Sequence, residues 1–366
     1  MRVDSELHTQ VVHVCQRLSG GGAESVAVTV ACAQARTGVQ VSMVVVDECP
    51  SDSDQEAASE LGRNGVGLLC LGRQPRQIPF MPMVRLRNYL ASFKMPIIHS
   101  HHPMAALLVE CARATKAGHC IHIGTRHASS ARSLVERRLL RHRLRHEVFV
   151  TNIMASIYKW PEQQEHVIPN CYSDRLASLL TNMQAAEKAR SEYRSAFRLE
   201  GDEVAIVVVG SLRPEKNVQA IIEAFSLVAK RERKMRLLIC GDGPLKKEIE
   251  ESVRIHGIST KCHLLGFRTD VQALLCGCDV AVSYSLGESF CVSAIEAAAL
   301  GLPVVTSPLP VYDEVLQGYQ RHFRGIGFTA EACSGAIEEA VKSYKSMNMP
   351  RSTLPDRKST RLNSSH

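Results

Sequence analysis

Glu288 and Glu296, with seven residues between them, are the first side chains in this chain whose spacing suggests shared chemistry. Glu288 lies in the loop Gly287-Glu288-Ser289-Phe290-Cys291. Glu296 falls within the small-residue helix that follows, between Ile295 and Ala297. A carboxylate on an otherwise apolar helix is costly unless a partner meets it. Ribose hydroxyls would meet it, and a partly exposed helix face is the plainer alternative. Upstream, Gly210-Ser211-Leu212-Arg213-Pro214-Glu215-Lys216-Asn217 follows a strand-like run and precedes a helical one. Arg213 and Lys216 therefore stand where an anion would meet a helix N-terminus. Two cations there suit a diphosphate whose charge grows as it departs; a solvated loop would also explain them. In the first half, Gly20-Gly21-Gly22-Ala23-Glu24 makes a strand-to-helix turn. Glycines let a ligand approach the backbone, and the helix start offers free N–H groups. Position 25 is Ser, so the segment is not G-x-G-x-x-G and a dinucleotide is poorly supported. A tight turn without ligand remains open.

His99, His101, His102, His119, His122 and His127 crowd one stretch of sequence. Neutral imidazoles suit zinc or nickel, but the spacing matches no standard site, so no metal is expected. The thirteen cysteines are an odd number, and the close pair Cys276-Gly-Cys278 has neither zinc nor thioredoxin spacing. They read as reduced core residues. Seven arginines lie between Arg126 and Arg145. On a helix, Arg137, Arg138, Arg141 and Arg145 share one face.

The elements that must position these residues follow a regular pattern. Short β-branched runs (Val11–Val14, Val39–Val46, Gly67–Cys70, Ile97–Ser100, Ile121–Thr125, Val148–Thr151, Val167–Ile168) alternate with amphipathic segments (Ala23–Arg36, Met83–Lys94, Met104–Lys116, Ser130–Arg145). After a polar helical stretch, Asp174–Arg198, the alternation restarts at Val204–Val209 and runs to a last helix, Ala330–Tyr344. Such alternation predicts βαβ units and parallel sheets, with ligands at the carboxyl ends of the strands. The chain of 366 residues thus reads as an N-terminal α/β domain over 1–172, a second over 173–345 and a tail over 346–366. Apolar content of 45% and charged content of 22% exclude a disordered or collagen-like chain. No apolar run nears the roughly 18–20 residues of a membrane span. The N-terminus lacks a signal-peptide core, which points to a cytoplasmic protein. A net charge of +7 is too mild to argue for nucleic acid.

The ordered set of motifs resembles the retaining GT-B glycosyltransferases of family four. Glu288-x7-Glu296, Arg213 with Lys216, Gly241-Asp242-Gly243-Pro244, His263-Leu-Leu-Gly266 and Gly301-Leu-Pro303 resemble that family's donor domain. Gly20–Glu24 resembles its glycine loop. Ile97–His101 and Gly124-Thr125-Arg126-His127 resemble its two histidine-bearing strand ends, and Ile168-Pro169-Asn170 its hinge. The resemblance runs from about Val11 to Tyr344. Three positions depart from it: Cys171 stands for the usual hinge glycine, Ser289 for a glycine after the first glutamate, and Pro308–Val311 for a glycine turn.

The resemblance implies two Rossmann-like domains facing across a cleft. It implies transfer of a sugar from a nucleotide diphosphate donor, with retention, to a glycan or lipid-linked acceptor in surface polysaccharide or glycolipid biosynthesis. No cofactor or metal is implied beyond that co-substrate. Arg213 and Lys216 would stabilise the leaving diphosphate. Glu288 would bind the donor sugar and Glu296 the ribose, with Ser289, Phe290 and Cys291 in the same loop and Gly21 and Gly22 nearby. The base would lie against Gly266, Phe267 and Arg268. His127 would contact the donor sugar; His101 and Arg126 fall on the acceptor side. The leaving phosphate itself would deprotonate the acceptor. The arginine face would meet an anionic membrane, at about 1 kcal/mol per charge, making the protein peripheral on the inner face; a solvated basic face explains it equally. Rival readings are a nucleotide-sugar 2-epimerase of the same fold, an inactive nucleotide-sugar-binding subunit and, more weakly, a dehydrogenase. The last eleven residues, Asp356–His366, resemble a translated sequencing adapter, codon for codon. On that reading the genuine charge is 7 − 2 = +5, and the helix with which such enzymes close onto their first domain is missing.

Overall fold

The computed structural model describes residues 10–49, 51–74, 79–114, 120–127, 133, 136, 138, 140–141, 143–160 and 164–346. The chain divides into two compact units between Cys171 and Tyr172.

The first unit is built on seven parallel strands: β1 (Gln10–Cys15), β2 (Gln40–Asp47), β3 (Gly67–Arg73), β4 (Ile97–Ser100), β5 (Ile121–Arg126), β6 (His146–Phe149) and β7 (Gln164–Val167). Their order in the sheet is β3-β2-β1-β4-β5-β6-β7. Among the described residues the connecting helices with stated bounds are α1 (Gly22–Arg36), α2 (Asp52–Arg63), α3 (Phe80–Leu90), α4 (Pro103–Ala114) and α5 (Asn152–Tyr158). The valine run of β2 is buried at six successive positions, as a strand covered on both faces requires. Cores lie on both sides of the sheet: Leu86, Leu90 and Val109 on one, Ala27, Ala31 and Leu61 on the other. Helix α2 has no place in the sequence pattern above; its start is fixed by a local cap. Ser51 Oγ accepts from Asp54 N, and Asp54 Oδ2 accepts from Ser51 N at 3.1 Å, a reciprocal cap.

The second unit begins with α6 (Asp174–Thr181) and α7 (Met183–Ala196), two helices where the sequence pattern suggests one. Asn182 breaks them: its extended backbone ends α6, and its Oδ1 caps α7 by accepting from Ala185 N at 3.0 Å. Six parallel strands follow: β8 (Val204–Val209), β9 (Met235–Cys240), β10 (Cys262–Gly266), β11 (Val280–Ser283), β12 (Val304–Thr306) and β13 (His322–Arg324). Their order is β10-β9-β8-β11-β12-β13. The helices are α8 (Val218–Arg231), α9 (Lys246–Ile255), α10 (Val271–Gly277), α11 (Val292–Ala299), α12 (Pro310–Val315) and α13 (Ala330–Ser346). A fully buried Asp279 anchors α7 to the sheet. Its carboxylate accepts from Arg190 and Arg194, each at 3.0 Å, and from Ala205 N at 2.8 Å.

Both sheets reverse strand order once, at β1/β4 and at β8/β11. Such switch points open a crevice at the carboxyl ends of the strands, where ligands of open α/β sheets bind. No helix among the described residues is long and apolar enough to cross a membrane. The tail 347–366 lies outside the described residues.

Candidate functional site

In the second unit the sequence motifs meet at the β8/β11 switch point. The loop 210–217 leaves β8 and includes a short 3-10 turn, Pro214–Lys216, before Asn217 in left-handed conformation opens α8. Its path is set by close backbone contact with the turn after β9. Gly210 N donates to Cys240 O at 3.0 Å and Leu212 N to Asp242 O at 2.9 Å. A Cβ on Gly241, at φ +154°, would stand 1.8 Å from Gly210 O, and one on Gly243 would stand 2.5 Å from Leu212 O. The Gly-Asp-Gly motif is therefore what lets the two loops touch.

The same packing aims Lys216 at Glu288. The two form an ion pair, with the side chain of Lys216 25% exposed and that of Glu288 8%. Ser285 Oγ donates to the same carboxylate at 2.9 Å. Burial pulls the Lys216 pKa down, but the Glu288 carboxylate outweighs it and the net shift is upward. Lys216 therefore stays a cation at neutral pH. Arg213 is exposed at the mouth of the loop. Beyond Glu288, Phe290 and Cys291 are buried. Cys291 starts α11 with φ 60°, ψ 74°, a left-handed conformation that disfavours a side chain. Its Sγ lies 3.1 Å from Ser283 Oγ, which also meets Tyr312 OH at 2.7 Å. Strain of this kind is held in place by surrounding contacts and gathers at functional loops.

Glu296 is 6% exposed on α11. Its partner is one the sequence did not signal: Gln272 on α10 donates Nε2 to Glu296 Oε1 at 2.8 Å. Burial raises the Glu296 pKa, with the Gln272 hydrogen bond opposing. At the end of β10, Gly266 turns the chain at φ +67° and Phe267 is left 46% exposed. Arg268 turns its fork onto Asp270, at 2.7 and 2.6 Å, over the ring of Tyr193.

In the first unit, the strand ends at the β1/β4 switch point carry imidazoles. Parallel register sets His13 beside His99. The rings of His13, His99 and His101 stand 4.2–5.1 Å apart, and His127 stacks on His101 at 5.6 Å. His13 Nδ1 is 2.8 Å from His101 Nε2, and His13 Nε2 is 2.8 Å from Gln34 Oε1 on α1. His99 Nε2 meets Thr125 Oγ1 at 2.7 Å, and His101 Nδ1 is 3.4 Å from His127 Nε2. Burial holds His13 and His127 down to about 4 and His99 and His101 well below the usual range, so the stack is neutral. Sequence reasoning missed His13 because it lies inside a valine strand, 88 residues before its partner. The ligand atoms of His13, His99 and His101 lie within 4.8 Å of one another. To ligate a metal, His13 and His101 would have to give up the hydrogen bond they share.

His101 and Arg126 are buried, at 2% and 3%. His101 is inside the stack, and the Arg126 guanidinium lies 4.3 Å over the Tyr158 ring. His122 belongs to another network, between Ser100 Oγ at 2.9 Å and Glu110 Oε1 at 2.6 Å. His102 faces Glu24 at 3.5 Å. Gly21 caps α1 without a side chain; a Cβ there would stand 2.6 Å from the Glu24 carboxylate. Gly22 is the first residue of α1, and both glycines are exposed. Arg138, Arg141 and Arg145 are exposed, while Arg137 and His119 lie outside the described residues.

Residues 20–174 match the Glycosyltransferase Family 4 domain, and residues 189–353 match Glycosyl transferases group 1. The chain is 26% identical over 159 residues to the alpha-monoglucosyldiacylglycerol synthase of Streptococcus pneumoniae, covering 43% of this chain and 36% of that protein. It is 25% identical over 277 residues to the phosphatidylinositol N-acetylglucosaminyltransferase GPI3 subunit of Saccharomyces cerevisiae, covering 69% of this chain and 60% of that one. The chain thus spans between a third and two thirds of the lengths of these relatives. Among solved structures, HepE of Anabaena in complex with UDP-glucose superposes with a TM-score of 0.79 at 14% identity, covering 97% of this chain and 95% of that one. WaaG, a glycosyltransferase involved in lipopolysaccharide biosynthesis, gives 0.65 at 16%, with 97% and 100% covered. These likenesses show the fold. The two family domains in tandem, on two parallel sheets of GT-B type, make this chain a group 1 glycosyltransferase.

Proposed function

We propose that this protein transfers a sugar from a nucleotide diphosphate donor, with retention of configuration, to a glycan or lipid-linked acceptor in polysaccharide or glycolipid biosynthesis. The observation that carries the reading is the Lys216–Glu288 pair at the β8/β11 switch point, with Arg213 in the same loop and Glu296 on the helix that follows. The leaving group is a diphosphate whose charge grows as the bond to the sugar breaks. A fixed ammonium and an exposed guanidinium stabilise that charge. Glu288, held by Lys216 and Ser285, accepts from donor-sugar hydroxyls and favours the positive character of an oxocarbenium-like ring. Glu296, steadied by Gln272, accepts from ribose, and the loop backbone at Gly266–Arg268 carries the base. His127 contacts the donor sugar. The leaving phosphate takes the acceptor proton, so the chemistry proposed needs no metal. The exposed Arg138, Arg141 and Arg145 give the first unit a basic face for an anionic membrane surface. Resemblance to relatives whose names contain diacylglycerol and phosphatidylinositol supports a lipid-linked acceptor.

The test is a thermal-shift screen of nucleoside diphosphates and their sugars, since a ligand that binds the folded state raises its stability. UDP or GDP derivatives are expected to raise the melting temperature of the wild-type protein. Glu288→Ala is expected to keep nucleoside diphosphate binding and lose sugar transfer. No shift from any nucleotide, or full turnover in Glu288→Ala, refutes the assignment. A donor isomerised without transfer indicates the epimerase, and binding without turnover an inactive subunit.

A further inference from the structure

Eight of the thirteen cysteines are buried, as core residues should be; Cys49 and Cys70 are not. Cys49 lies just past the end of β2 and is half-buried, whereas Cys70 lies on β3 and is exposed. The two strands are parallel neighbours, with Val45 beside Cys70 and Asp47 beside Arg73. That register brings Cys49 Sγ to 2.8 Å from Cys70 Sγ, across 21 residues of chain. Both are free thiols. The segment that carries Cys49 also holds the residues that lead into the glycine loop. Before Cys49, Asp47 N donates to Gln16 O at 2.9 Å. The Asp47 carboxylate accepts from Gln16 Nε2 at 3.4 Å and from Arg73 Nε at 2.6 Å. After Cys49, Asp54 Oδ1 accepts from Ser19 Oγ at 2.7 Å.

We propose that Cys49 and Cys70 are a modification site: a small-molecule disulfide of the glutathione type converts them reversibly into an intramolecular disulfide, which ties the support of the glycine loop to β3. The thiolate is the attacking form, and access limits which thiolate attacks. Cys70 is the exposed member of the pair and attacks first. Its sulfur bonds to one sulfur of the reagent and expels the other as a thiolate. Cys49 then attacks the Cys70 sulfur and expels the second thiolate. Two protein thiols are oxidised and one disulfide is reduced to two thiols, which take up the two protons that Cys49 and Cys70 release. Burial, and after it the adjacent Cys70 thiol, pushes the Cys49 thiol well above its ordinary value, and Asp54 and Asp47 add to the shift. The mixed disulfide on Cys70 has no thiolate to oppose ionisation of Cys49, so the first step eases the second. The cross-link goes beyond sugar transfer and lies within the first unit; only its consequence for ligand binding rests on the reading of the glycine loop given above.

The experiment incubates the full chain with reduced or oxidised glutathione, traps free thiols with a maleimide and maps the peptides by mass spectrometry. In oxidised glutathione a Cys49–Cys70 cross-link is expected as the main disulfide, and it should disappear on return to reduced glutathione. Alkylated Cys49 and Cys70, a glutathione adduct that persists on wild-type Cys70, or cross-links to other cysteines in place of this one overturns the proposal. Cys49→Ser removes the second attacking thiol and is expected to accumulate the glutathione adduct on Cys70. Cys70→Ser is expected to leave Cys49 unmodified; an adduct on Cys49 at the wild-type rate overturns the order of attack. Hydrogen exchange then compares the cross-linked and reduced chains. Amides over residues 47–54 are expected to exchange about threefold more slowly in the cross-linked form, because local opening of that segment is restrained. Unchanged exchange there overturns the tie to the glycine loop. If no nucleotide shifts the melting of either form, the functional reading fails, while the cross-link measurement still decides this proposal.

Discussion

Replacing Lys216 by Met tests the central pair of the second unit. Lys216 and Glu288 are largely buried, and the carboxylate keeps a second partner in Ser285. Two charges about 4 Å apart attract by about 4 kcal/mol at an effective dielectric near 20. Much of that only offsets desolvation, but removing one partner leaves the other buried and uncompensated, which typically costs about 3–5 kcal/mol. Because Ser285 still donates to Glu288, the low end applies, about 3 kcal/mol. At about 2–4 °C per kcal/mol for a unit of this size, the second unit should melt about 6–12 °C lower. Differential scanning calorimetry of the full chain measures it. In a double-mutant cycle with Glu288→Gln, the coupling should be about 2 kcal/mol; additivity within about 0.5 kcal/mol would refute the reasoning. The pH dependence gives a second check. The folded Lys216 pKa lies above its unfolded value, so its contribution is fully present below the ordinary lysine value of about 10.4 and is lost as pH rises through the raised one. The difference between wild type and Lys216→Met should stay flat from pH 7 to 10 and shrink above. A difference that grows with alkalinity would show that the pair is not what stabilises the loop.

Glu296→Gln should separate stability from binding. Burial raises the Glu296 pKa, so its contribution to stability is greatest below the ordinary value of about 4.3 and falls as pH rises through the raised one. At pH 7.5 the amide should therefore melt a few degrees higher than wild type, with the gain gone near pH 4. Calorimetric titration should show nucleoside diphosphate affinity reduced about tenfold, since one hydrogen-bonded charge to ribose is lost. Gly241→Ala drives a Cβ into Gly210 O and should cost about 2–4 kcal/mol while abolishing nucleotide-induced thermal shifts. Asp279→Ala leaves Arg190 and Arg194 without their shared carboxylate. A loss of about 3 kcal/mol or more is expected, with faster hydrogen exchange across Met183–Ala196 as α7 loosens from the sheet.

The sequence by itself determined the class of fold and the order of the strands along the chain. Uninterrupted valine runs such as Val204–Val209 can only be strands buried on both faces, and their alternation with amphipathic segments requires parallel sheets. It also determined which loops carry cations and carboxylates, because Arg213, Lys216, Glu288 and Glu296 fall at strand ends or in the helices just after them. Short elements were not legible. Of Gln164–Val167 only the end was legible, as Val167–Ile168; His322–Arg324 has too little periodicity to stand out, and Asn152–Tyr158 is too short for a helical pattern. Nor were the pairings. That Lys216 meets Glu288, that Gln272 meets Glu296, and that His13 joins the histidines of β4 and β5 all depend on strand register and on which strands are neighbours. These contacts span 72, 24 and 88 residues. Local propensity acts over one turn or one strand. Contacts at such separations exist only once the sheet order β1-β4 and β8-β11 has closed, which tertiary structure alone decides.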